Sequence, residues 1–165
     1  MNSCELRGFP LPPSANGLYA NQLRGGGGRY KTTDYKKFES DAYHWSLANQ
    51  HQLRIVRMMI EKLKLSQVLH VDRVFWFKPH KIITKDLRPR RNDTSNRLKA
   101  LDDTISKLIG LDDSYFWAGS YNKRPILHES HPEGVDIRFT IIELEDIAKG
   151  QTFATTEDIF DVTCN

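Results

Sequence analysis

Residues 91–113 read RNDTSNRLKALDDTISKLIGLDD and contain the clearest helical pattern of the chain. Their apolar side chains recur every three or four positions, which is the period of an α-helix with one buried face. These side chains are Leu98, Leu101, Ile105, Leu108 and Ile109. Ser95 is well placed as the N-cap, and Gly110 stands where a helix commonly ends. We therefore predict a helix from about residue 96 to residue 109.

Further elements are predicted on both sides of this helix. Helical spacing of apolar residues starts at Thr33 and is repeated from Leu53. Segments rich in β-branched and aromatic residues, or alternating between apolar and polar types, indicate strands. These segments are residues 4–10, 68–77, 114–121 and 135–144. The short helices and strands alternate along the chain, so both are expected in one packed domain.

We accordingly expect an α/β (α+β) fold: a single compact domain with a small mixed sheet of about four strands and two or three helices. Its length is sufficient to bury a core without disulfides or structural metal. The domain is assigned to residues 1–144. Residues 145–165 are acidic and rich in turn-forming types, and we interpret them as a C-terminal extension.

The composition excludes several classes of protein. With 39% hydrophobic and 27% charged residues, the chain is ordinary for a soluble globular protein, and no apolar run approaches the roughly 18 residues of a membrane span. The first residues lack the basic flank and apolar core of a signal peptide. Cys4 and Cys164 lie near the two ends and form no disulfide framework. We expect a cytoplasmic protein without a membrane partner.

Charge is distributed unevenly along the sequence. Residues 54–99 hold 13 Lys and Arg against four acidic residues, whereas the rest holds 11 basic and 17 acidic residues. The basic part ends in Arg88-Pro89-Arg90-Arg91, directly before the polar groups of the predicted helix. A polyanion attracted to the basic part would be delivered to the neighbouring carboxylates. This arrangement favours a nucleic acid over a small substrate.

The helix carries the groups that point to chemistry. Asn96, Lys99 and Asp103 share one face, away from the apolar stripe. Asp93 precedes the helix, and Asp112 and Asp113 follow its terminal glycine. Carboxylates in a basic surround suit Mg²⁺, a hard cation that takes oxygen ligands and keeps positions for water and phosphate. Such an ion activates water and neutralises charge on phosphorus, and Lys99 could stabilise the same charge.

The acidic residues on and after the helix have an ordinary alternative. Asp102 and Asp103 could be solvent-facing residues of the helix surface, and this is our interpretation of Asp102. The pair Asp112 and Asp113 could simply begin a turn.

The motif Asp-x-x-Asn-x-x-Lys, with an Asp four residues after the Lys and then Leu-Asp-Asp, is similar to the core signature of the RusA family of Holliday junction resolvases. In this chain it comprises Asp93, Asn96, Lys99, Asp103, Asp112 and Asp113. A second match is FPLPPSAN at residues 9–16, followed by a loop with glycine and arginine and then a tyrosine-containing helix. The resemblance covers about residues 5–144, with both motifs in the right order.

The resemblance implies a homodimeric, Mg²⁺-dependent endonuclease (with Mn²⁺ as an alternative ion) that makes paired nicks across a four-way DNA junction. Asp93, Lys99 and Asp113 fall on catalytic positions of the family. The expected metal ligands are Asp93, Asp103, Asp112 and Asp113. The family also often implies a phage or prophage origin.

DNA contacts are expected from residues beside this site. The candidates for phosphate contacts are Lys85, Arg88, Arg90, Arg91 and Arg97, with Asn96 as a further DNA-binding residue. Asn16 and the segment from Arg24 to Arg29 are candidates for contacts near the branch. Phosphate contacts position DNA without reading its sequence, so no cleavage preference is predicted.

One position departs from the family pattern. The residue directly before the Asn is an aspartate in the family and is Ser95 here. A hydroxyl is a poor substitute for a carboxylate ligand. Either Asp103 or Asp112 completes the coordination, or metal affinity falls, or the protein binds junctions without cutting them. A different hypothesis is that the chain is an unrelated globular domain whose basic segment binds RNA, although no RNA-binding signature is found.

The length of the helix raises a geometric question. A helix from Ser95 to Ile109 rises about 21 Å, which separates Asp93 from Asp113 unless the chain returns along it. A two-fold dimer with antiparallel helices would bring Asp113 of one subunit near Asp93 of the other. A composite active site is therefore a hypothesis for this chain.

Overall fold

The central element of the fold is a mixed five-stranded sheet. The computed structural model describes residues 2–14, 19–21, 29–90, 94–128 and 131–149. The strands are β1 (Ser3–Phe9), β2 (Tyr19–Asn21), β3 (Arg29–Lys31), β4 (Gln67–Phe77), β5 (Phe116–Ala118), β6 (Tyr121–Pro125) and β7 (Gly134–Glu143). The sheet order is β1-β7-β4-β5, with β6 also paired to β4, and β2 and β3 form a separate hairpin. The α+β expectation is confirmed, with one strand more in the sheet than the four predicted.

Strand β4 is the centre of the sheet because it is bordered on both sides. It runs antiparallel to β7, from Gln67 opposite Glu143 to Trp76 opposite Gly134. On its other side it runs parallel to β5 and then to β6. Strand β1 closes the opposite side through antiparallel pairing with β7. Most residues of β4 are buried because the strand has a neighbour on each side.

Three longer helices and two short ones accompany the sheet. They are α1 (Thr33–Ala48), α2 (Gln50–Ile60), α3 (Pro79–Ile82), α4 (Ser95–Ile109) and α5 (Leu144–Ala148). The Thr32 hydroxyl caps α1 by accepting the Tyr35 N–H at 3.2 Å. Helix α4 begins one residue earlier than predicted, so Ser95 is its first residue and Thr94 is the N-cap. Gly110 ends it in the left-handed conformation (φ +75°), as expected.

The core lies between the helices and one face of the sheet. Leu101 and Ile105 of α4 are almost fully buried with Phe75 of β4 and Phe139 of β7. Burying a side chain of this size contributes about 1.5–3 kcal/mol. The apolar stripe predicted for α4 is therefore its sheet-facing side, and its polar side is left available.

The predicted strand over residues 114–121 is wrong in detail. A 3₁₀ turn spans Asp113–Tyr115, and the strand that follows is interrupted between β5 and β6. At the interruption Gly119 passes so close to β4 that an added Cβ would lie 1.9 Å from the Val71 carbonyl oxygen. A glycine is required for that approach.

The C-terminal boundary is only partly visible. Residues 144–148, part of which was assigned to the extension, form α5, which follows β7 directly. Residues 150–165 lie outside the described part of the chain. Among the described residues, none of the helices is long and apolar enough to cross a membrane.

Candidate metal and DNA-binding site

Helix α4 presents two of the predicted site residues on its open side. Lys99 has a side chain that is 78% exposed, and its Nζ lies 3.9 Å from Oδ1 of Asp103. The Asp103 side chain is 27% exposed. Since Ala100, Leu101 and Ile105 are buried, the helical spacing leaves Lys99 and Asp103 on the solvent side. Their shared face is as predicted.

The chain turns back sharply at the end of α4. The backbone N–H groups of Gly110 and Leu111 both donate to the carbonyl of Ser106, at 2.9 and 3.1 Å. The Asp112 carboxylate then accepts the Ser114 N–H at 2.9 Å and starts the 3₁₀ turn. Hydrogen bonds from Ser114 lower the pKa of Asp112 below its ordinary value. In the single chain Asp112 therefore acts as a turn-initiating residue, which was the alternative interpretation.

Asp102 is not solvent-facing, contrary to expectation. Its Oδ1 accepts a hydrogen bond from Nε of Arg73 on β4 at 2.9 Å and lies 2.8 Å from Nη2 of the same guanidinium. The Asp102 side chain is 22% exposed and that of Arg73 is 8% exposed. Sequence spacing could not reveal this pair, because it depends on which strand lies beneath the helix. The sequence signal was a pair of charged residues, Asp72 and Arg73, inside a strand rich in β-branched and aromatic residues.

The pKa of the Asp102 carboxyl is raised by its surroundings. Burial raises the pKa of Asp102, the Arg73 guanidinium opposes this, and the negative charges of Asp113 and Asp103 raise it further. The 3₁₀ turn that holds Asp113 packs against α4, so the charge of Asp113 acts on Asp102. Asp93, the other residue of the geometric argument, lies outside the described residues, so the composite site stays a hypothesis.

Arg73 also connects α4 to the interruption between β5 and β6. Its Nη1 donates to the Val71 carbonyl at 2.7 Å, and its backbone N–H donates to the Ser120 carbonyl at 3.0 Å. The would-be Cβ of Gly119 lies 3.1 Å from the same Nη1. Arg73 thus joins β4 to α4 through its guanidinium, and its backbone N–H bonds the segment between β5 and β6.

Several predicted site residues cannot be placed. Asp93 and Arg91 lie outside the described residues, as do Asn16 and Arg24. Asn96 and Arg29 belong to α4 and β3, but their side chains are not described. Within the described ranges, no three His, Cys, Asp or Glu side chains are grouped closely enough to hold a metal ion. The distances among the expected ligands that include Asp93 therefore stay predictions.

Arg97 has contacts within the protein as well as a predicted DNA role. Its Nη1 donates to the Pro12 carbonyl, and its guanidinium lies 5.6 Å from the centre of the Phe77 ring. Burial lowers the pKa of Arg97, and the charge of Glu133 partly opposes this. Arg97 therefore ties the start of α4 to the proline-rich segment after β1, which was one of the two motifs noted in the sequence.

The predicted phosphate-binding residues Lys85, Arg88 and Arg90 are exposed on a small, ordered hairpin. Ile83 and Pro89 form an antiparallel bridge at its base. Thr84 N–H donates to the Arg88 carbonyl at 2.8 Å, and Arg90 N–H donates to the Ile82 carbonyl at 2.8 Å. The sequence indicated only a polar stretch here, so this basic hairpin (residues 83–90) is a feature that the sequence reasoning missed.

Comparison with known proteins adds little. No protein family model matches the chain, and no curated protein matches it. Among solved structures, 2C-methyl-D-erythritol 2,4-cyclodiphosphate synthase from Plasmodium vivax aligns with 12% identity and a TM-score of 0.31, over 86% of this chain and 96% of that one. A second structure of such a synthase aligns with 14% identity and a TM-score of 0.29 over the same shares. Similarity at this level supports no conclusion about fold or function.

Proposed function

We propose that this protein is a Mg²⁺-dependent endonuclease that cuts branched DNA and resolves Holliday junctions by paired symmetrical nicks. The observation that carries the proposal is the exposed side of α4, where Lys99 lies 3.9 Å from Asp103, together with the 3₁₀ turn of Asp113, which packs against the same helix. The exposed basic hairpin that precedes this helix in the chain supplies positive charge for a phosphate backbone.

The donor set fits a hard divalent cation. Asp103 and Asp113 offer carboxylate oxygens that remain open to solvent, and Mg²⁺ is commonly held by one or two carboxylates together with water and phosphate. Asp93 would add a third carboxylate. When bound, the ion would activate water and offset charge on the phosphate. The same residues accommodate Mn²⁺.

The chain's own residues divide the remaining work. Lys99, an exposed point charge 3.9 Å from Asp103, would stabilise negative charge that develops on the scissile phosphate. Lys85, Arg88 and Arg90 would hold the flanking backbone. The protein would act as a homodimer, because two equivalent cuts require two equivalent centres. Its proposed compartment is the cytoplasm.

The test is incubation of the purified protein with a labelled four-way DNA junction in Mg²⁺, in Mn²⁺ and in EDTA. We expect symmetrical nicks that require the ion and disappear in Asp93→Asn and Asp113→Asn. Asp34→Asn, a change to an exposed aspartate of α1, is the matched control and should cut normally. A wild-type protein that leaves the junction intact under all metal conditions would refute the nuclease.

A second candidate function is a RusA-like protein that binds branched DNA without cutting it. Ser95, where the family has an aspartate, favours it, and Ser95 is exposed at the first position of α4. Tight junction binding without cleavage, together with cleavage by Ser95→Asp, would establish this alternative.

A further inference from the structure

The tip of the basic hairpin holds a leucine, Leu87, that lies outside the hydrophobic core. Leu87 is 85% exposed, so it contributes little to the core. Its φ is +57°, which makes it the one non-glycine residue with positive φ in the described part of the chain. A side chain in this left-handed conformation is strained, and glycine or asparagine occupies it more readily. A strained and exposed leucine indicates a role outside folding.

The hairpin holds Leu87 in a defined position. Leu87 N–H donates to the Thr84 carbonyl at 3.1 Å, and Arg88 N–H donates to the Thr84 hydroxyl at 3.0 Å. A turn followed by one left-handed residue is a common three-residue hairpin connection. Its base is anchored because Ile82 packs against the core. The leucine is therefore presented on a pre-organised support.

The charges around the tip favour nucleic acid as the partner. Lys85, Arg88 and Arg90 are exposed around Leu87, against one exposed acid, Asp86. Two copies of this tip would repel each other, which disfavours a symmetric contact between subunits. An apolar tip flanked by cations instead matches DNA, where phosphates border a stack of apolar base faces.

The hairpin also lies near the proposed site of chemistry. Five peptide steps join Arg90 to Ser95, so the base of the hairpin is within about 18 Å of the start of α4. Proteins that kink or open DNA commonly insert leucine, phenylalanine or similar side chains between base pairs. A branch point, where stacking is already interrupted, admits such a side chain at the lowest cost.

We propose that Leu87 is a wedge that enters the base stack at the branch point of DNA while Lys85, Arg88 and Arg90 hold the adjacent phosphates. This inference rests on the proposed function for its DNA partner and adds how the branch is recognised. It predicts that binding unstacks bases at the branch and that this effect depends on one apolar side chain.

The test uses four-way junctions that carry 2-aminopurine beside the branch, since the fluorescence of this base rises when it is unstacked. Leu87→Gly and Leu87→Asn accept the left-handed backbone and remove the apolar side chain. Both should fold at least as stably as wild type, abolish the fluorescence rise and reduce the preference for junction over linear duplex about tenfold. Affinity for linear duplex should stay unchanged, since the cations remain.

Leu65→Gly is the matched control, because Leu65 is 97% exposed directly after Lys64 and should give wild-type results. A full fluorescence rise with Leu87→Gly would overturn the wedge while leaving the nuclease proposal intact. A change of oligomeric state in Leu87→Gly, measured by sedimentation, would also overturn it in favour of a protein contact. Leu87-dependent unstacking without cleavage would support the wedge and refute the nuclease. No binding of any DNA by wild type would refute both.

Discussion

Lys99 illustrates how a single side chain can be assigned a role from exposure and neighbours. Its side chain is 78% exposed and has Asp103 within 3.9 Å, so it contributes little to stability. An exposed ammonium beside carboxylates is useful where another anion binds between them. Removal of the Lys99 ammonium should therefore affect DNA cleavage and leave the stability of the fold unchanged.

We therefore predict that Lys99→Met lowers junction cleavage by about 10²- to 10³-fold, the effect of removing one group that stabilises developing charge. Junction affinity should fall by less than the rate, and the melting temperature should be unchanged. Single-turnover cleavage and anisotropy binding measure the two effects. Lys107→Met, a change to an exposed lysine in the last turn of the same helix, is the control. Equal rates for both variants would remove Lys99 from the proposed chemistry.

At the scale of elements, the connection between α4 and β4 determines where the acidic residues lie. Arg73 holds Asp102 by a hydrogen bond and an ion pair, while Gly119 allows the strand after the acidic turn to pass close to Val71. Asp103 belongs to α4, and Asp113 lies in the 3₁₀ turn directly before β5, the strand that pairs with β4. The position of the candidate site thus depends on a buried ion pair beneath it.

We predict that Arg73→Met destabilises the protein by about 3–5 kcal/mol, because it leaves the Asp102 carboxylate buried without its partner. The double variant Arg73→Met/Asp102→Leu should recover most of this loss, since it removes both buried charges. Denaturant unfolding followed by circular dichroism measures the free energy of unfolding. A double variant no more stable than Arg73→Met would show that the two side chains act independently.

At the scale of the whole molecule, the question is whether one subunit completes the site. The 3₁₀ turn that holds Asp113 packs against α4 of its own chain, because the backbone turns back after Gly110. In a two-fold dimer, paired cuts would then come from two separate centres rather than from centres shared between subunits.

Mixed dimers of Asp93→Asn and Asp113→Asn subunits test this arrangement. If each site lies within one subunit, both centres of a mixed dimer are damaged, and we expect no cleavage. A composite site would instead keep one intact centre and give nicking without resolution. Gel assays that separate nicked from resolved junctions distinguish the two results. Nicking by mixed dimers would restore the composite hypothesis.

The sequence by itself determined the elements and their chemistry. The apolar period of residues 98–109 predicted α4 and its buried side, and Gly110 predicted its end. Alternation and β-branched content predicted β4 and β7 within one or two residues. These are local properties, since a repeat of 3.6 or 2 residues and the backbone freedom of glycine act within a few positions.

The tertiary structure alone decided how these elements meet. Asp102 looked solvent-facing until Arg73 of β4 was found beneath it, and the rise of α4 placed Asp113 at its far end, whereas the turn that holds Asp113 packs against that helix. The left-handed Leu87 was equally hidden, because leucine gives no signal for that conformation. Contacts between residues far apart in sequence depend on strand order and chain direction, which local patterns do not encode. The sequence therefore indicated which groups this protein has, and only the packing of its helices on the sheet decided which of them are neighbours.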